Sequence, residues 1–463
     1  MSACGSSVSG GSGSSSAGAA AAFDGGGGSY GAGAEASGGT GNGGSAGNAG
    51  SAGSAGSGGS SGTGGAAGAS GTDAGNPPDP CSTATPHCPA VPSSAKKGKG
   101  LIPIDRCAFP LDEAKQWASL SPLVNALETK LPSAGLSGVL GDLNRSGVVA
   151  SSAPGGPSGV VFAFHWDSSE NTKAWWIPQG ITGSADANAS GLVEGRRVVV
   201  ASFYYDPAKD PGSNGDKGIR VAFVDVTNEN APKYRFALLV QPTGTTSAPD
   251  FAAIKIHAGG IAWVGNHLYV ADTFQGFRVF DTRRIYRVAT GQNSIGCGGG
   301  TCYAGLYKYI LPEVGSYSRT TKCSPRFSFV STVRDASGTG LVSGEYCSGT
   351  SCTAPLAGRL FRWPLDPATD LPGSARIWPS AAWFAAERQL QGAAESGSSM
   401  YMSSSEPAGA AGALFKDTTI SHKSFTWIDS PEDLMIDPAR NRLWGLSEAA
   451  GARYVFAAKL SSY

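Results

Sequence analysis

Closely spaced β-strand patterns between His257 and Phe280 constrain the fold of this chain more than any other feature of the sequence. The three apolar runs in that stretch are Ile261–Val264, Leu268–Ala271 and Phe277–Phe280. Gly265-Asn266 and Gln275-Gly276 separate the runs, and residue pairs of this kind favour tight hairpin turns. Strands joined by tight turns form an antiparallel meander, and repeated meanders form a β-propeller.

The same type of unit recurs from about residue 160 to the C-terminus, with a spacing of about 40 to 70 residues. Each unit starts with a polar or glycine-containing segment that leads into a short apolar strand. The clearest of these segments contain Gln179-Gly180, His257-Ala258-Gly259-Gly260, Gln391-Gly392 and Glu432-Asp433. We therefore predict an all-β fold in which residues 159–463 form a single β-propeller with five blades.

The way in which the predicted propeller closes is open to two interpretations. The last unit ends after its third strand, and Lys173–Pro178 precedes the first unit without a unit of its own. We predict that Lys173–Pro178 completes the last sheet, because ring closure removes exposed sheet edges. A six-bladed propeller is the alternative, since the strand-like segment Val160–Trp166 would then belong to a further sheet.

The N-terminal part of the chain differs from the rest in composition. Residues 1–76 consist largely of glycine, serine and alanine and offer little apolar surface to bury, so we predict a disordered, flexible tether. Residues 77–158 form a lead-in rich in cysteine and proline. Within it, apolar residues such as Leu120, Val124 and Leu127 recur at helical spacing and predict one helix over about residues 111–131.

The nine cysteines indicate an oxidising compartment, because eight of them can be paired. Three pairs are close in sequence within loop-like segments, and two cysteines remain for a long-range bridge. The predicted disulfides are Cys81–Cys88, Cys297–Cys302, Cys347–Cys352 and Cys107–Cys323. The ninth, Cys4, follows small residues as at a bacterial lipoprotein cleavage site and is a candidate for lipidation, although no apolar signal segment precedes it.

Several segments resemble a group of secreted bacterial proteins that is best known from actinobacteria. They include WWIPQGITGSADA at Trp175–Ala187, HAGGIAWVGNHLYVADTFQGFRVFD at His257–Asp281 and LWGLSEAAGARYVFA at Leu443–Ala457. The resemblance extends from about Trp166 to the C-terminus and implies a secreted, propeller-like protein, but it assigns no catalytic residue. The tether behind Cys4 is similar in composition to the tethers of myxobacterial surface lipoproteins.

Five polar residues are candidates for a ligand site at the mouth of the predicted channel. In a propeller, the first strand of each blade lines the central channel, and the strand starts face a common opening. That arrangement would bring together Gln179, His257, Gln391, Glu432 and Asp433. Convergent polar groups suit a small polar ligand, an ion or a sugar, and the structural alternative is that they bind internal water.

A pair of carboxyl groups at the same mouth would support the hydrolysis of glycosidic bonds. The acidic residues at predicted strand ends are Asp272, Glu345, Glu432, Asp433 and Glu448. Acidic residues at strand ends also form turns, which is the structural alternative. The sequence has no HExxH zinc helix, no P-loop and no EF-hand pattern, so we predict neither a bound metal nor a cofactor.

Charge and hydropathy narrow the range of partners. The formal net charge of +0 at pH 7 argues against nucleic-acid binding. No run of about 18 apolar residues occurs, so we predict no transmembrane segment and expect a monomer with a lipid anchor as its only membrane contact. From the sequence we predict an extracellular or surface-tethered propeller that acts as a binding module for glycan or cell-envelope material. The alternative function is a carbohydrate-active hydrolase that uses a carboxylate pair in the funnel.

Overall fold

The structure is a computed structural model that describes residues 79–463, except residues 86, 115, 322, 324, 337, 348–357 and 406–410, and only the backbone of residues 116–119. The predicted tether, Cys4 and Cys352 therefore lie outside the described residues. Within the described part of the chain, strands predominate and one helix exceeds two turns. The predicted all-β class is confirmed.

Twenty of the described strands form five antiparallel meanders of four strands each. The first sheet contains Trp176–Gly183, Val198–Tyr205, Ile219–Asp225 and Lys233–Gly244. The second contains Ile261–Val264, His267–Asp272, Gly276–Asp281 and Tyr309–Arg319. The third contains Phe329–Asp335, Gly338–Gly344, Arg359–Pro364 and Ala381–Phe384. The fourth contains Leu390–Ser396, Ser399–Ser404, Ala413–Asp417 and His422–Thr426. The fifth contains Pro431–Asp437, Arg442–Ser447, Tyr454–Lys459 and Val160–His165.

The second sheet confirms the hairpins predicted between His257 and Phe280. Its first two strands pair from Ile261 with Val270 to Val264 with His267, and the connecting Gly265 has a φ of +55°. Because L-residues with a Cβ adopt a positive φ only at a cost in energy, glycine is favoured at this turn.

The fifth sheet is completed by a strand other than the predicted one. Val160–His165 pairs antiparallel with Tyr454–Lys459, with Tyr454 opposite His165. The assignment of Lys173–Pro178 to this role is wrong. Its second half belongs instead to Trp176–Gly183, the first strand of the first sheet, which pairs with Val198–Tyr205 on both sides of a register shift between Pro178 and Ile181.

The first strands of the five sheets contact one another in chain order, and the first strand of the fifth sheet contacts that of the first. We call these the innermost strands. The outer strands of the first two sheets also meet, since Tyr309–Arg319 pairs parallel to Lys233–Gly244. The arrangement places the starts of all five innermost strands around one axis.

The lead-in contributes strands to the edges of several sheets. Ile102–Pro103 pairs with the third sheet, Leu111–Glu113 with the second, and Val148–Val149 with the fifth. Edge strands with unpaired backbone groups invite aggregation, and these short segments cover part of the edges. The helix predicted over residues 111–131 occurs as Gln116–Lys130, because residues 111–113 are a strand, and the helix continues through Pro122.

The remaining elements are short. The other helices are Gly135–Leu140, Ser168–Thr172 and Ser184–Ala187, with 3-10 turns at Pro80–Thr83, Arg106–Ala108, Pro207–Lys209 and Leu460–Ser462. The other strands are Arg145–Ser146, Pro249–Ala253, Tyr286–Arg287, Ile295–Gly298, Thr301–Ala304 and Arg376–Ile377.

The hydrophobic core lies between neighbouring sheets and is rich in aromatic side chains. Trp166, at the end of the strand that completes the fifth sheet, packs edge-on against Phe203 and Tyr234 of the first sheet, with ring centroids 5.1 and 5.0 Å apart. Trp263 and Trp363 are buried in the same manner between other sheets. These contacts fix the sheets against one another, because aromatic pairs combine a large buried area with a preferred geometry.

Two of the predicted disulfide pairings are wrong, and one is present. Cys81 pairs with Cys107 and Cys88 with Cys323, with Cα atoms 4.9 and 5.2 Å apart, whereas Cys297 pairs with Cys302 as predicted. Pairing depends on the distance between Cα atoms, and the lead-in brings distant cysteines within bonding range. Cys347 is disulfide-bonded, and its predicted partner lies outside the described residues.

No helix among the described residues is both long enough and apolar enough to span a membrane.

Candidate functional site at the start of the innermost strands

Four of the five polar residues predicted for the channel mouth lie at irregularities of the innermost strands. In three of the sheets, the pairing register of the innermost strand shifts near its start, between Pro178 and Ile181, between Leu390 and Gly392, and between Pro431 and Leu434. The residues inside these shifts are Gln179, Gln391, Glu432 and Asp433. A β-bulge redirects side chains that a regular strand would point into the sheet. The sequence pattern therefore identified equivalent positions of three different sheets.

The backbones of neighbouring innermost strands are in direct contact at this level. A Cβ atom on Gly180 would lie 2.7 Å from the Ile261 nitrogen, and one on Gly392 would lie 2.5 Å from the Asp433 Cα. A Cβ atom on Gly260 would lie 2.2 Å from the Val330 nitrogen. Only glycine fits at such distances, so these glycines permit the strands to approach.

Asp433 connects three innermost strands. Its Oδ2 accepts hydrogen bonds from the backbone N–H groups of Ile181 and Ile261, each at 3.2 Å, and its side chain is fully buried. Burial raises the pKa of Asp433 well above its usual value, although these hydrogen bonds oppose the shift. Its Oδ1 has no hydrogen-bond partner among the described residues. The contacts give Asp433 a structural role at the centre of the ring.

Glu432, Glu448 and Gln179 form the core of the candidate site. Gln179 donates from Nε2 to the Pro178 carbonyl oxygen at 2.9 Å and to Glu448 Oε2 at 3.0 Å. Burial, and then the neighbouring charges of Glu448 and Asp433, raise the pKa of Glu432 well above its usual value. No donor in the described part of the chain contacts the Glu432 carboxyl group. Its environment therefore favours the protonated form more than that of an exposed glutamate does.

Glu448 occupies a different electrostatic environment from Glu432. Burial raises the pKa of Glu448, but the hydrogen bond from Gln179 and the charges of Lys209 and Arg453 lower it in part. Glu448 is half-buried, whereas Glu432 is 2 % exposed. Two carboxyl groups with unequal environments therefore lie near one another.

His257 joins this region through a stacked tyrosine. The rings of His257 and Tyr204 are 4.5 Å apart between centroids. Dense packing lowers the pKa of His257 to about 4, so the imidazole is neutral at pH 7 even though the residue keeps some exposed surface. Burial, followed by the charge of Glu448, raises the pKa of Tyr204, which places this phenol close to the carboxyl groups.

Sequence reasoning did not identify Tyr204, which lies on the same strand as a serine near the axis. Ser202, two residues earlier on the same strand, accepts a hydrogen bond from the Gly180 N–H at 2.8 Å and donates one to the Ala258 carbonyl at 2.9 Å. Residues two apart on a strand share a face. The side chain of Tyr204 therefore lies on the same face of the strand as that of Ser202, which is hydrogen-bonded near the axis.

The other predicted residues do not join the cluster. Arginines neutralise two of the five candidate carboxylates, since Asp272 pairs with Arg278 at 2.9 Å and Glu345 with Arg359 at 2.6 Å. Gln391 is half-buried at the equivalent bulge, and no hydrogen bond among the described residues connects its side chain to Glu432. Asp433 is engaged by backbone hydrogen bonds. Among the described residues, the two acidic candidates that remain are Glu432 and Glu448, which are buried or half-buried and have no arginine ion pair.

No protein-family model matches the chain, and no curated protein sequence is detectably similar to it. Among solved structures, a gluconolactonase from Xanthomonas campestris is 13% identical with a TM-score of 0.31, and the match covers 69% of this chain and 88% of that one. A β-xylosidase/α-arabinofuranosidase from a compost metagenome is 11% identical with a TM-score of 0.33, covering 62% and 92%. Likeness at this level transfers neither a substrate nor a residue role to this chain.

Proposed function

We propose that the five meanders are the blades of one five-bladed propeller, and that the protein is a secreted or surface-tethered binding module for a neutral saccharide. The circular order of contacts among the innermost strands supports the blade count, with Val160–His165 completing the last blade. The disulfides Cys81–Cys107 and Cys88–Cys323 support an oxidising compartment. Attachment through Cys4 belongs to the same proposal.

One observation carries the ligand class: the mouth brings together an imidazole, a phenol, an amide and a buried carboxyl group whose pKa is raised. His257 is neutral because its pKa lies near 4, and burial favours the protonated form of Glu432. Gln179 and Tyr204 add an amide and a phenol to this set. Neutral donors and acceptors beside stacked rings match the hydroxyl groups and the apolar face of a sugar better than they match an ion.

Glycan-array screening of the full-length protein, followed by calorimetric titration of each glycan that binds, tests this proposal. We expect His257→Ala and Glu432→Ala each to weaken binding by about tenfold or more, since each removes a hydrogen-bonding group at the site. The matched controls are His87→Ala and Glu194→Ala, which alter exposed side chains of the same types. Glycan binding that survives both site variants unchanged would refute the proposal.

The unequal carboxyl environments favour a second candidate function, which is glycoside hydrolysis. Glu432, whose environment favours the protonated form, would act as the general acid, and Glu448, partly compensated by Gln179, would act as base or nucleophile. Assays with chromogenic aryl glycosides separate the two functions. In a hydrolase, Glu448→Gln would lower kcat by about 100-fold or more while saccharide binding persists. Binding without turnover by the wild-type protein would support the binding module.

A further inference from the structure

A second cluster of polar side chains lies in the fourth sheet, at the hairpin between Ala413–Asp417 and His422–Thr426. Asp417 and His422 are directly opposite each other in the antiparallel register. Side chains of directly opposed residues point to the same face of a sheet. Accordingly, His422 Nδ1 lies 2.8 Å from Asp417 Oδ1.

Glu387 joins this pair from the connection between the third and fourth sheets. Its Oε1 lies 3.7 Å from His422 Nδ1 and accepts a hydrogen bond from the Gly98 N–H at 2.8 Å. One potential ligand atom from each of the three residues lies within 4.8 Å of the others. The cluster thus unites residues that are far apart in sequence.

An unpartnered buried oxygen within this cluster points to a ligand. The Glu387 side chain is 2 % exposed, and its Oε2 has no hydrogen-bond partner among the described residues. A buried carboxylate oxygen without a partner costs free energy unless a cation or donor compensates it. The cluster contains two carboxyl groups, from Glu387 and Asp417, and one imidazole, from His422.

We propose that Glu387, Asp417 and His422 bind one zinc ion. Zinc takes imidazole nitrogen and carboxylate oxygen at about 2.0 to 2.2 Å, and ligand atoms around a tetrahedral ion are then about 3.4 Å apart. The distances from His422 Nδ1 to Asp417 Oδ1 and to Glu387 Oε1 are 2.8 and 3.7 Å, one shorter and one longer than that value. Calcium and magnesium prefer oxygen-only sites, so the imidazole selects against them.

The site lies where the lead-in packs on the sheet, so a bound ion would stabilise that contact, with a water molecule as the fourth ligand. Besides the Gly98 contact with Glu387, the Leu101 N–H donates to the Thr418 carbonyl oxygen at 2.9 Å. A Cβ atom on Gly100 would lie 2.4 Å from that same carbonyl oxygen. His422 keeps 18 % of its side chain exposed, which leaves a route for the ion. Zinc would hold the lead-in, the hairpin and the connection between sheets together.

Isothermal titration of the full-length, chelator-treated protein with zinc, and in parallel with calcium, tests this inference. We expect one zinc ion per chain, a rise in Tm on zinc addition and much weaker binding of calcium. His422→Ala is expected to weaken zinc binding by about 100-fold or more, since it removes a direct ligand. His87→Ala, which alters an exposed histidine of the lead-in, is the matched control and should bind zinc as the wild type does.

A second variant separates loss of the ligand from loss of the fold. Glu387→Gln keeps the shape of the side chain, and its circular dichroism should match that of the wild type while its zinc affinity falls. Cobalt provides an independent spectroscopic readout, because bound Co²⁺ should show visible absorption bands that both variants lose. The inference is overturned if the wild type binds no zinc, if calcium binds more tightly, or if a folded Glu387→Gln protein retains full zinc affinity.

Discussion

Replacement of Asp433 by asparagine should remove a pH-dependent loss of stability. Asp433 is fully buried between three innermost strands, and burial raises its pKa in the folded protein well above the value near 3.8 that applies to the unfolded chain. Below that value the carboxyl group is protonated in both states and contributes no pH dependence. As the pH rises above it, only the unfolded chain ionises, so the free energy of unfolding falls until the pH reaches the folded pKa.

The magnitude follows from the coupling between ionisation and folding. One group that ionises only in the unfolded state lowers the free energy of unfolding by about 1.4 kcal/mol per pH unit. Between pH 5 and pH 7 the wild type should therefore lose up to about 3 kcal/mol through Asp433 alone. The introduced asparagine can still accept the hydrogen bonds from Ile181 and Ile261 but carries no titratable proton. The difference in stability between variant and wild type should shift in favour of the variant by that amount.

Urea unfolding at pH 5, 6 and 7, followed by tryptophan fluorescence, measures this difference. A buried carboxyl group with a raised pKa that does not interact with Asp433, such as Glu313, contributes equally to both proteins and cancels. Glu194→Gln, at an exposed site, serves as the control and should leave the pH dependence unchanged. A stability difference between Asp433→Asn and wild type that stays constant from pH 5 to pH 7 would refute the reasoning.

Three further predictions concern the same fold and use urea unfolding as the measurement. Gly260→Ala should lower the free energy of unfolding by about 1 to 3 kcal/mol, because its Cβ would lie 2.2 Å from a backbone nitrogen. Gly291→Ala, in open space, should change it by less than about 0.5 kcal/mol. Equal effects of the two substitutions would contradict the close approach of the strands. Arg359→Met should cost about 3 to 5 kcal/mol because it leaves a buried carboxylate unpaired, and a neutral outcome would argue against that ion pair. Cys88→Ser should cost about 5 kcal/mol and Cys297→Ser about 2 kcal/mol, because their disulfides span 235 and 5 residues; the reverse order would contradict the observed pairing.

The local part of the fold could be predicted from the sequence, and the closure of the fold could not. The strands between Ile261 and Asp281 follow from alternating patterns and turn residues because each pairs with a neighbour a few residues away. The strand that completes the fifth sheet, Val160–His165, pairs with residues nearly three hundred positions later. The residue pattern of Val160–His165 does not specify which strand it pairs with. For that reason the sequence is equally compatible with Lys173–Pro178 as the strand that completes the fifth sheet.

The candidate site was predicted in part for the same reason. Gln179 and Glu432 were found because they occupy equivalent starts of innermost strands, and a sequence repeat reveals equivalence. Tyr204 was missed because its closeness to His257 depends on how two sheets pack. The cluster that contains Glu387 and His422 was missed because its residues come from a connection and a hairpin with no common pattern.

By itself, the sequence determined the all-β class and the hairpins of the meander units. Those features depend on residues close together along the chain, whose spacing the sequence states directly. Only the tertiary structure decided which cysteines pair, which strand closes the last sheet and which carboxyl groups lack an arginine partner. Those outcomes depend on distances between segments far apart in sequence, and such distances arise only when the whole set of sheets packs together.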